Sequence, residues 1–311
     1  MNAPTYDRDR TRVGELCVIT SAVLFGLMPL FAKIAAEHGS NAYMSALGRF
    51  FFGSVFLLAV LAFRRNASFQ VSWQQLLKIL PLSVLYAVTP VLLFASYDYM
   101  DSGLATALHF TFPVMVILFS ALLFHIRPNG RQMICAVLGT VGVSQFAGGE
   151  AEGATGLLLA VASGATYAMY IVLLDRSNLA SLPVLTMAFW LSLMASAEIA
   201  AVAAWRGALM FAPDSTAWGA ILALAVFATA LALVLFQEGL SRCGAVRASL
   251  LSTFEPLTGV GIGWLVFSEA LTPRTAAGIF CVLLASVLLL LPVSFPRITR
   301  GRFPAVRRIN L

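Results

Sequence analysis

Ten stretches of about twenty apolar residues follow one another along the chain, parted by short polar breaks. They run over 13–36, 41–63, 76–98, 102–124, 130–147, 154–174, 181–204, 216–237, 244–267 and 273–292. Runs such as Val114–Phe124 and Ile279–Leu291 are apolar at almost every position. A helix on the surface of a soluble protein keeps one polar face. A membrane barrel alternates polar and apolar residues over about ten positions at a time. Uniform runs of this length read instead as helices that cross a bilayer, whose hydrocarbon core takes about 20 residues at 1.5 Å each. The run over 130–147 is the shortest and opens with Arg131. The longest connections, near 64–75 and 205–215, leave no room for a soluble domain.

Composition sharpens this picture. The 311 residues are 60% hydrophobic and 11% charged, against about 25% charged in a soluble domain. So few charges cannot cover a water-exposed surface, and the apolar excess is expected to face lipid. The charged N-terminal stretch lacks a small-residue cleavage site after the first apolar run, so that run reads as a retained helix and not a signal peptide. Cys17, Cys135, Cys243 and Cys281 show no CxxC spacing and read as ordinary thiols.

The net charge of +6 would suit nucleic acid, but its placement does not. Basic residues fill alternate loops: Arg8, Arg10 and Arg12; Arg64, Arg65 and Lys78; Arg127 and Arg131; Arg176, Arg242 and Arg247; and a tail from Arg297 to Arg308. The intervening loops hold Arg206 and Arg274, with Lys33 near the end of the first helix, beside Glu37, Asp98, Asp101, Glu150 and Glu152. Arg and Lys collect on the cytoplasmic side of membrane proteins. The expected topology therefore has both termini cytoplasmic and an even number of spans, in a bacterial inner membrane.

The two halves also match weakly. Ser96–Pro113 lies over Gly239–Pro256, with Ala105 on Ala248, Leu108 on Leu251 and Pro113 on Pro256. At nearly the same offset, Gly14, Leu16 and Ser21 fall on Gly156, Leu158 and Ser163. Each half then carries five helices, and five is odd, so the second half enters from the opposite side. The expected fold is an all-α membrane protein with ten transmembrane helices in two inverted five-helix repeats, a recurring design of secondary transporters. Its parts are a cytoplasmic tail over 1–12, a first repeat over 13–147, a second over 153–292 and a basic tail over 293–311.

The segment FQEGLSRCGAVRASLLSTFEPLTGVGIGWLVFSEALTP (Phe236–Pro273) resembles the second EamA repeat of the drug/metabolite transporter superfamily. SAVLFGLMPLFAKIA (Ser21–Ala35), followed by the helix bearing Arg49, resembles the first. The resemblance spans about residues 14–290. It implies a ten-helix carrier that exports amino acids or other small metabolites by alternating access, without a cofactor, as a monomer or homodimer. The lipid bilayer, the small-molecule substrate and a coupling proton are the partners it implies. The first repeat departs from the pattern, with Phe112 where the second has Glu255 and with His109 where many relatives carry a small residue.

Ionisable groups inside a membrane cost about 2.5–3.5 kcal/mol each on insertion scales and ask for a partner or a use. Arg49 has two readings: a contact for a substrate carboxylate or phosphate, or a structural cation. Glu255, directly before Pro256, reads as a substrate or proton site, or as the ion partner of Arg49. His109 sits midway along its run beside Pro113. Glu198, near the outer end of its helix, reads as interfacial. Pro113 and Pro256 occupy matching positions and are expected to kink their helices, freeing the carbonyls of His109 and Ser252. Pro29 and Pro90 are further kink candidates. Tyr86, Tyr167, Tyr170, Trp190, Gln237 and Trp264 are candidate cavity walls, although for any one of them packing, or for the aromatics an interfacial belt, is the stronger reading. Gly139, Gly142, Gly259, Gly261 and Gly263 read as helix contacts, with GVGIG as a sliding surface. Nothing in the sequence supplies a Walker loop, an HExxH pair or a nucleophile elbow. An intramembrane enzyme acting on a lipid-linked substrate, and a non-transporting receptor or assembly factor, are the alternatives from other classes.

Overall fold

In the computed structural model the described residues are 8–63, 69–100, 102–126, 128–145, 154–177, 179, 182–210, 214–267 and 272–290. Arg64, Arg65, Asp101, Arg127, Glu150, Glu152, the basic C-terminal tail and the Trp264 side chain lie outside what is described.

Among the described residues the chain is all helix, without a β-strand. The helices are α1 (Arg8–Phe25), α2 (Met28–Glu37), α3 (Ala42–Phe63), α4 (Trp73–Ser96), α5 (Ser102–His109), α6 (Phe112–Phe124) and α7 (Gly130–Ser144). They continue with α8 (Ala154–Arg176), α9 (Val184–Trp205), α10 (Ser215–Ala223), a π-helical segment (Leu224–Leu231) that runs on into α11 (Ala232–Cys243), then α12 (Ala245–Leu251), α13 (Phe254–Phe267) and α14 (Pro273–Leu290). Six uninterrupted or nearly uninterrupted stretches are long and apolar enough to cross a membrane: Thr11–Glu37, Ala42–Phe63, Trp73–Ser96, Ala154–Arg176, Val184–Trp205 and Ser215–Cys243.

The apolar runs found in the sequence are all helical, but three are broken. The first is α1 and α2, the fourth is α5 and α6, and the ninth is α12 and α13. The eighth runs past its expected end at 237 to Cys243. The polar stretch QEGLSR stays helical because Glu238 and Arg242, four residues apart, pair on one face. The single residue Gly244, at φ +80°, then turns the chain into α12. Two starts carry capping boxes, Ser72 with Gln75 on α4 and Asn129 with Gln132 on α7, each stabilising its helix by about 1 kcal/mol.

The long pairings cross between the halves. α1 lies along α11, α4 along α8, α3 along α9 and α7 along α14. The outward faces stay apolar, with Leu16, Phe51, Leu58, Leu122, Ile134, Leu158 and Phe280 exposed. Lipid tails are as apolar as these side chains, so close packing, and not exclusion from water, must hold the bundle. Phe50, Phe110, Phe112, Tyr170 and Phe236 are fully buried in its middle. Several inward hydroxyls find partners within their own helix, which lowers the cost of a polar group in a membrane interior: those of Ser54, Ser96, Ser196 and Ser249 each donate to the carbonyl three residues earlier.

The glycines divide. Gly142 packs closely on α14, where an added Cβ would come within 2.9 Å of the Gly278 carbonyl. A Cβ at Gly259 or Gly261 would meet nothing within 4 Å. Among the described residues, no neighbour approaches GVGIG closely at those two positions. The four cysteines are free.

Candidate functional site

The three broken helices meet at one cavity. Each break is followed by a proline in the first turn of the next helix: Pro29 in α2, Pro113 in α6 and Pro256 in α13. A proline there loses no helical hydrogen bond, because the first turn has no acceptor for that N–H. The chain thus restarts a helix at Pro113 and Pro256 where a kink within one helix was expected. Pro90 lies inside α4.

Small residues let neighbouring helices reach the exposed backbone at these breaks. Gly164 of α8 faces the His109 carbonyl, and an added Cβ would lie 2.6 Å from that oxygen. Gly26, at the end of α1, faces the Glu255 carbonyl at the same 2.6 Å. The His109 carbonyl, whose helical donor position is taken by Pro113, is thereby covered by the opposite half of the chain.

Arg49, Tyr86, Thr89, His109, Tyr167 and Glu255 line the cavity, with Phe25, Met28, Pro90 and Leu93. It offers about 30 Å³ to the centres of water-sized spheres, room for about two waters and too little for a metabolite. Arg49 is 2% exposed, and its hydrogen-bond partners are neutral. Nε donates to Thr229 Oγ1 at 3.1 Å, Nη2 to the Ala228 carbonyl at 3.0 Å and Nη1 to Met28 Sδ at 2.7 Å. The guanidinium also sits 4.8 Å from the centre of the Phe50 ring, a cation–π contact. Ala228 and Thr229 belong to the π-helical segment. Such a widened turn re-aims backbone and side chains and occurs mostly at functional positions. A guanidinium has five N–H donors, so two are left for the cavity and the Tyr86 hydroxyl beside it. Arg49 and Glu255 share the cavity without forming an ion pair among the described residues, which removes the direct pairing considered from sequence.

His109 is fixed by its neighbours. Nδ1 lies 2.9 Å from Ser163 Oγ, and that hydroxyl donates to the Ala160 carbonyl at 2.6 Å. A hydroxyl has one proton. Nδ1 must therefore carry the hydrogen, which leaves Nε2 of the neutral ring as an acceptor. The ring stacks on Tyr167 at 5.7 Å. Tyr167 in turn meets Phe112 at 4.9 Å, so the position matching Glu255 in the first half is an aromatic packing residue.

The other candidates stand behind the wall. Tyr170 is fully buried against Tyr86 at 4.9 Å, and Gln237 Nε2 reaches its hydroxyl at 3.4 Å. Ser252 lies in the turn between α12 and α13, where its hydroxyl donates to the Ala248 carbonyl at 3.1 Å. Trp190 is away from the cavity, donating to the Phe69 carbonyl at 3.2 Å. Sequence reasoning missed Met28, Thr89, Ser163 and Thr229. Ser163 carried a signal, as the repeat match of Ser21; the π-helical segment carried none.

Both halves of the chain, over residues 12–146 and 154–291, match the EamA-like transporter family. The chain belongs to the EamA-like transporter family. An uncharacterized transporter of Archaeoglobus fulgidus is 28% identical over 279 residues, covering 89% of this chain and 96% of that protein. An uncharacterized transporter of Synechocystis is 29% identical over 210 residues, covering 64% of this chain and 62% of its own. A protein of known crystal structure superposes with a TM-score of 0.75 at 18% identity, over 89% of this chain and 96% of that one, which shows a shared fold. Membership agrees with the drug/metabolite transporter resemblance read from the sequence. This family member is a multi-pass membrane protein by its apolar helices.

Proposed function

We propose that this protein is a secondary transporter that exports a small zwitterionic metabolite, amino acids foremost, across a bacterial inner membrane. The observation that carries the reading is the cavity: a buried cation, a carboxyl and an imidazole acceptor held together where helix breaks from both halves meet. Arg49 offers a carboxylate the N–H donors that Thr229, Ala228, Met28 and Tyr86 leave free, and Glu255 offers oxygens to an ammonium group. His109 Nε2 accepts a further N–H, and Tyr86 and Tyr167 wall the substrate's carbon skeleton.

Ten spans in two inverted repeats, over 13–147 and 153–292, account for the helix contacts. Exchanging the halves swaps α1 with α8, α3 with α9, α4 with α11, α7 with α14, and the α5–α6 break with that of α12–α13. Under that exchange the α1–α11 pair becomes α8–α4, while α3–α9 and α7–α14 map onto themselves. The packing of α5 and α6 on α8 becomes that of α12 and α13 on α1. A bundle with this symmetry has two equivalent ways to open, one to each side of the membrane. The cavity's small volume supports reading this conformation as one that a metabolite enters only as helices separate. The alternation of basic loops supports a topology with both termini, 1–12 and 293–311, in the cytoplasm.

The test is flux. Purified protein in proteoliposomes is loaded with each of a panel of labelled amino acids, with and without a pH gradient. Movement of at least one zwitterion above empty vesicles, accelerated by the gradient, is expected. Absence of flux across the panel, from protein that remains monodisperse and folded, would sink the zwitterion reading.

A further inference from the structure

A second carboxyl, half-buried on the α4–α9 contact, lies away from the cavity. Glu198 is 14 residues into α9 and seven from its end at Trp205, hence about 10 Å from that end. Its Oε1 is 2.6 Å from Ser83 Oγ on α4, and the same hydroxyl oxygen is 2.8 Å from the Leu80 carbonyl. Oε2 is buried without a hydrogen-bond partner, and Ser83 is fully buried.

One proton must serve two contacts of Ser83. If Ser83 donates to an ionised Glu198, its contact with the Leu80 carbonyl brings two acceptors together. If it donates to Leu80, the contact with an ionised Glu198 has no proton at all. A protonated Glu198 satisfies both: the carboxyl O–H donates to Ser83, and Ser83 donates to Leu80. Oε2 is then the carbonyl oxygen of a neutral acid, whose burial without a partner costs far less than that of a carboxylate oxygen. The same arithmetic assigns the Nδ1 proton of His109 through Ser163.

Cations elsewhere do not replace this proton. The elements packed on α9 are α3, α4 and α11. Their titratable and charged groups are Tyr43 and Arg49 on α3, Lys78 and Tyr86 on α4, and Glu238, Arg242 and Cys243 on α11. Arg49 is held by Thr229, Ala228 and Met28, and Glu238 pairs with Arg242. Ser83 is the polar side chain bonded to Glu198.

We propose that Glu198 is a proton-binding site of this protein, separate from the central cavity, with Ser83 holding its protonated form. α4 and α9 belong to opposite halves, so a movement that separates these two helices breaks the contact and frees the carboxyl to ionise. Use of this proton for coupling rests on the transport reading, but its binding does not.

Infrared spectroscopy of the full chain in lipid nanodiscs tests it. At neutral pH a carbonyl-stretch component from a protonated carboxyl is expected. Glu198→Gln should lose that component, Glu255→Gln should keep it, and Ser83→Ala should shift it by removing the acceptor. Should Glu198→Gln fail to fold, Ser83→Ala carries the test. A spectrum unchanged by Glu198→Gln, or unmoved by Ser83→Ala, overturns the proposal. The readout needs no flux, so it fails or stands apart from the choice of substrate.

Discussion

Arg49→Lys keeps the charge and breaks the geometry. Arg49 reaches Thr229 Oγ1, the Ala228 carbonyl and Met28 Sδ from three different nitrogens while lying over Phe50. A lysine has one nitrogen on a flexible stem and cannot span these partners at once. Hydrogen bonds to a charged group are each worth about 1.5–3 kcal/mol. Losing one or two of them, and part of the cation–π contact, should cost about 3–5 kcal/mol. Thr229→Val removes one partner and should cost about 1.5–3 kcal/mol. The assay is reversible unfolding in mixed micelles, with both single variants and the double variant. If Arg49 and Thr229 interact as the distance indicates, the double variant should cost less than the sum of the two, by about 1.5–3 kcal/mol. Additive effects within about 0.5 kcal/mol would refute this account of how the π-helical segment holds the cation.

Three further outcomes follow from the same geometry. Gly164→Ala should destabilise by about 1–3 kcal/mol, because its Cβ would sit 2.6 Å from the His109 carbonyl, whereas Gly219→Ala, with nothing within 4 Å, should be neutral or stabilise by up to about 1 kcal/mol; equal unfolding midpoints would contradict the close approach. Asp214 caps α10 through the Thr216 N–H and pairs with His38, and both hold its carboxyl below the usual aspartate range. The cap's contribution is thus complete above that range and is lost as pH falls through the lowered folded value; hydrogen exchange at the start of α10, corrected for intrinsic rates, should rise on acidification in the native protein and stay high at all pH in Asp214→Ala. Glu255→Gln should still exchange substrate but lose acceleration by a pH gradient; full acceleration in a well-expressed variant would remove Glu255 from coupling.

The apolar pattern made the helices legible because each run is a local property of about twenty neighbouring residues. Breaks were harder. Pro113 and Pro256 were visible as disturbances, but whether a helix bends or restarts depends on what covers the exposed backbone, and Gly164, which covers the His109 carbonyl, lies on another helix. Arg49, His109, Glu255, Tyr86 and Tyr167 stood out from sequence and do share one cavity. The pairing of Arg49 did not: opposite charge pointed to Glu255, while the acceptors are an alanine carbonyl and a threonine more than 170 positions away. No sequence pattern marks a π-helical segment in a run as apolar as Leu224–Leu231. Gly259 and Gly261 mislead for the converse reason, since small residues permit a close contact without supplying the neighbour.

The division of the cavity between the halves bears on how a substrate could drive transport. Arg49 stands on α3 in the first half and Glu255 on α13 in the second. Within about 30 Å³ of water-sized room, the two groups face one space without neutralising each other directly. On the proposed zwitterion reading, the substrate would give its carboxylate to one half and its ammonium to the other. On that reading the two contacts are made together only in a substrate-occluded state, wider than the cavity of this structure, and bound substrate favours that state over either open one. A ligand shifts a conformational equilibrium only by its difference in affinity between the states. A molecule with a single pole engages one half, gains nothing from closure and leaves the equilibrium where it was. The proposed zwitterion reading therefore puts discrimination in the step that closes the cavity, and it predicts that singly charged analogues bind from one side without being carried to the other.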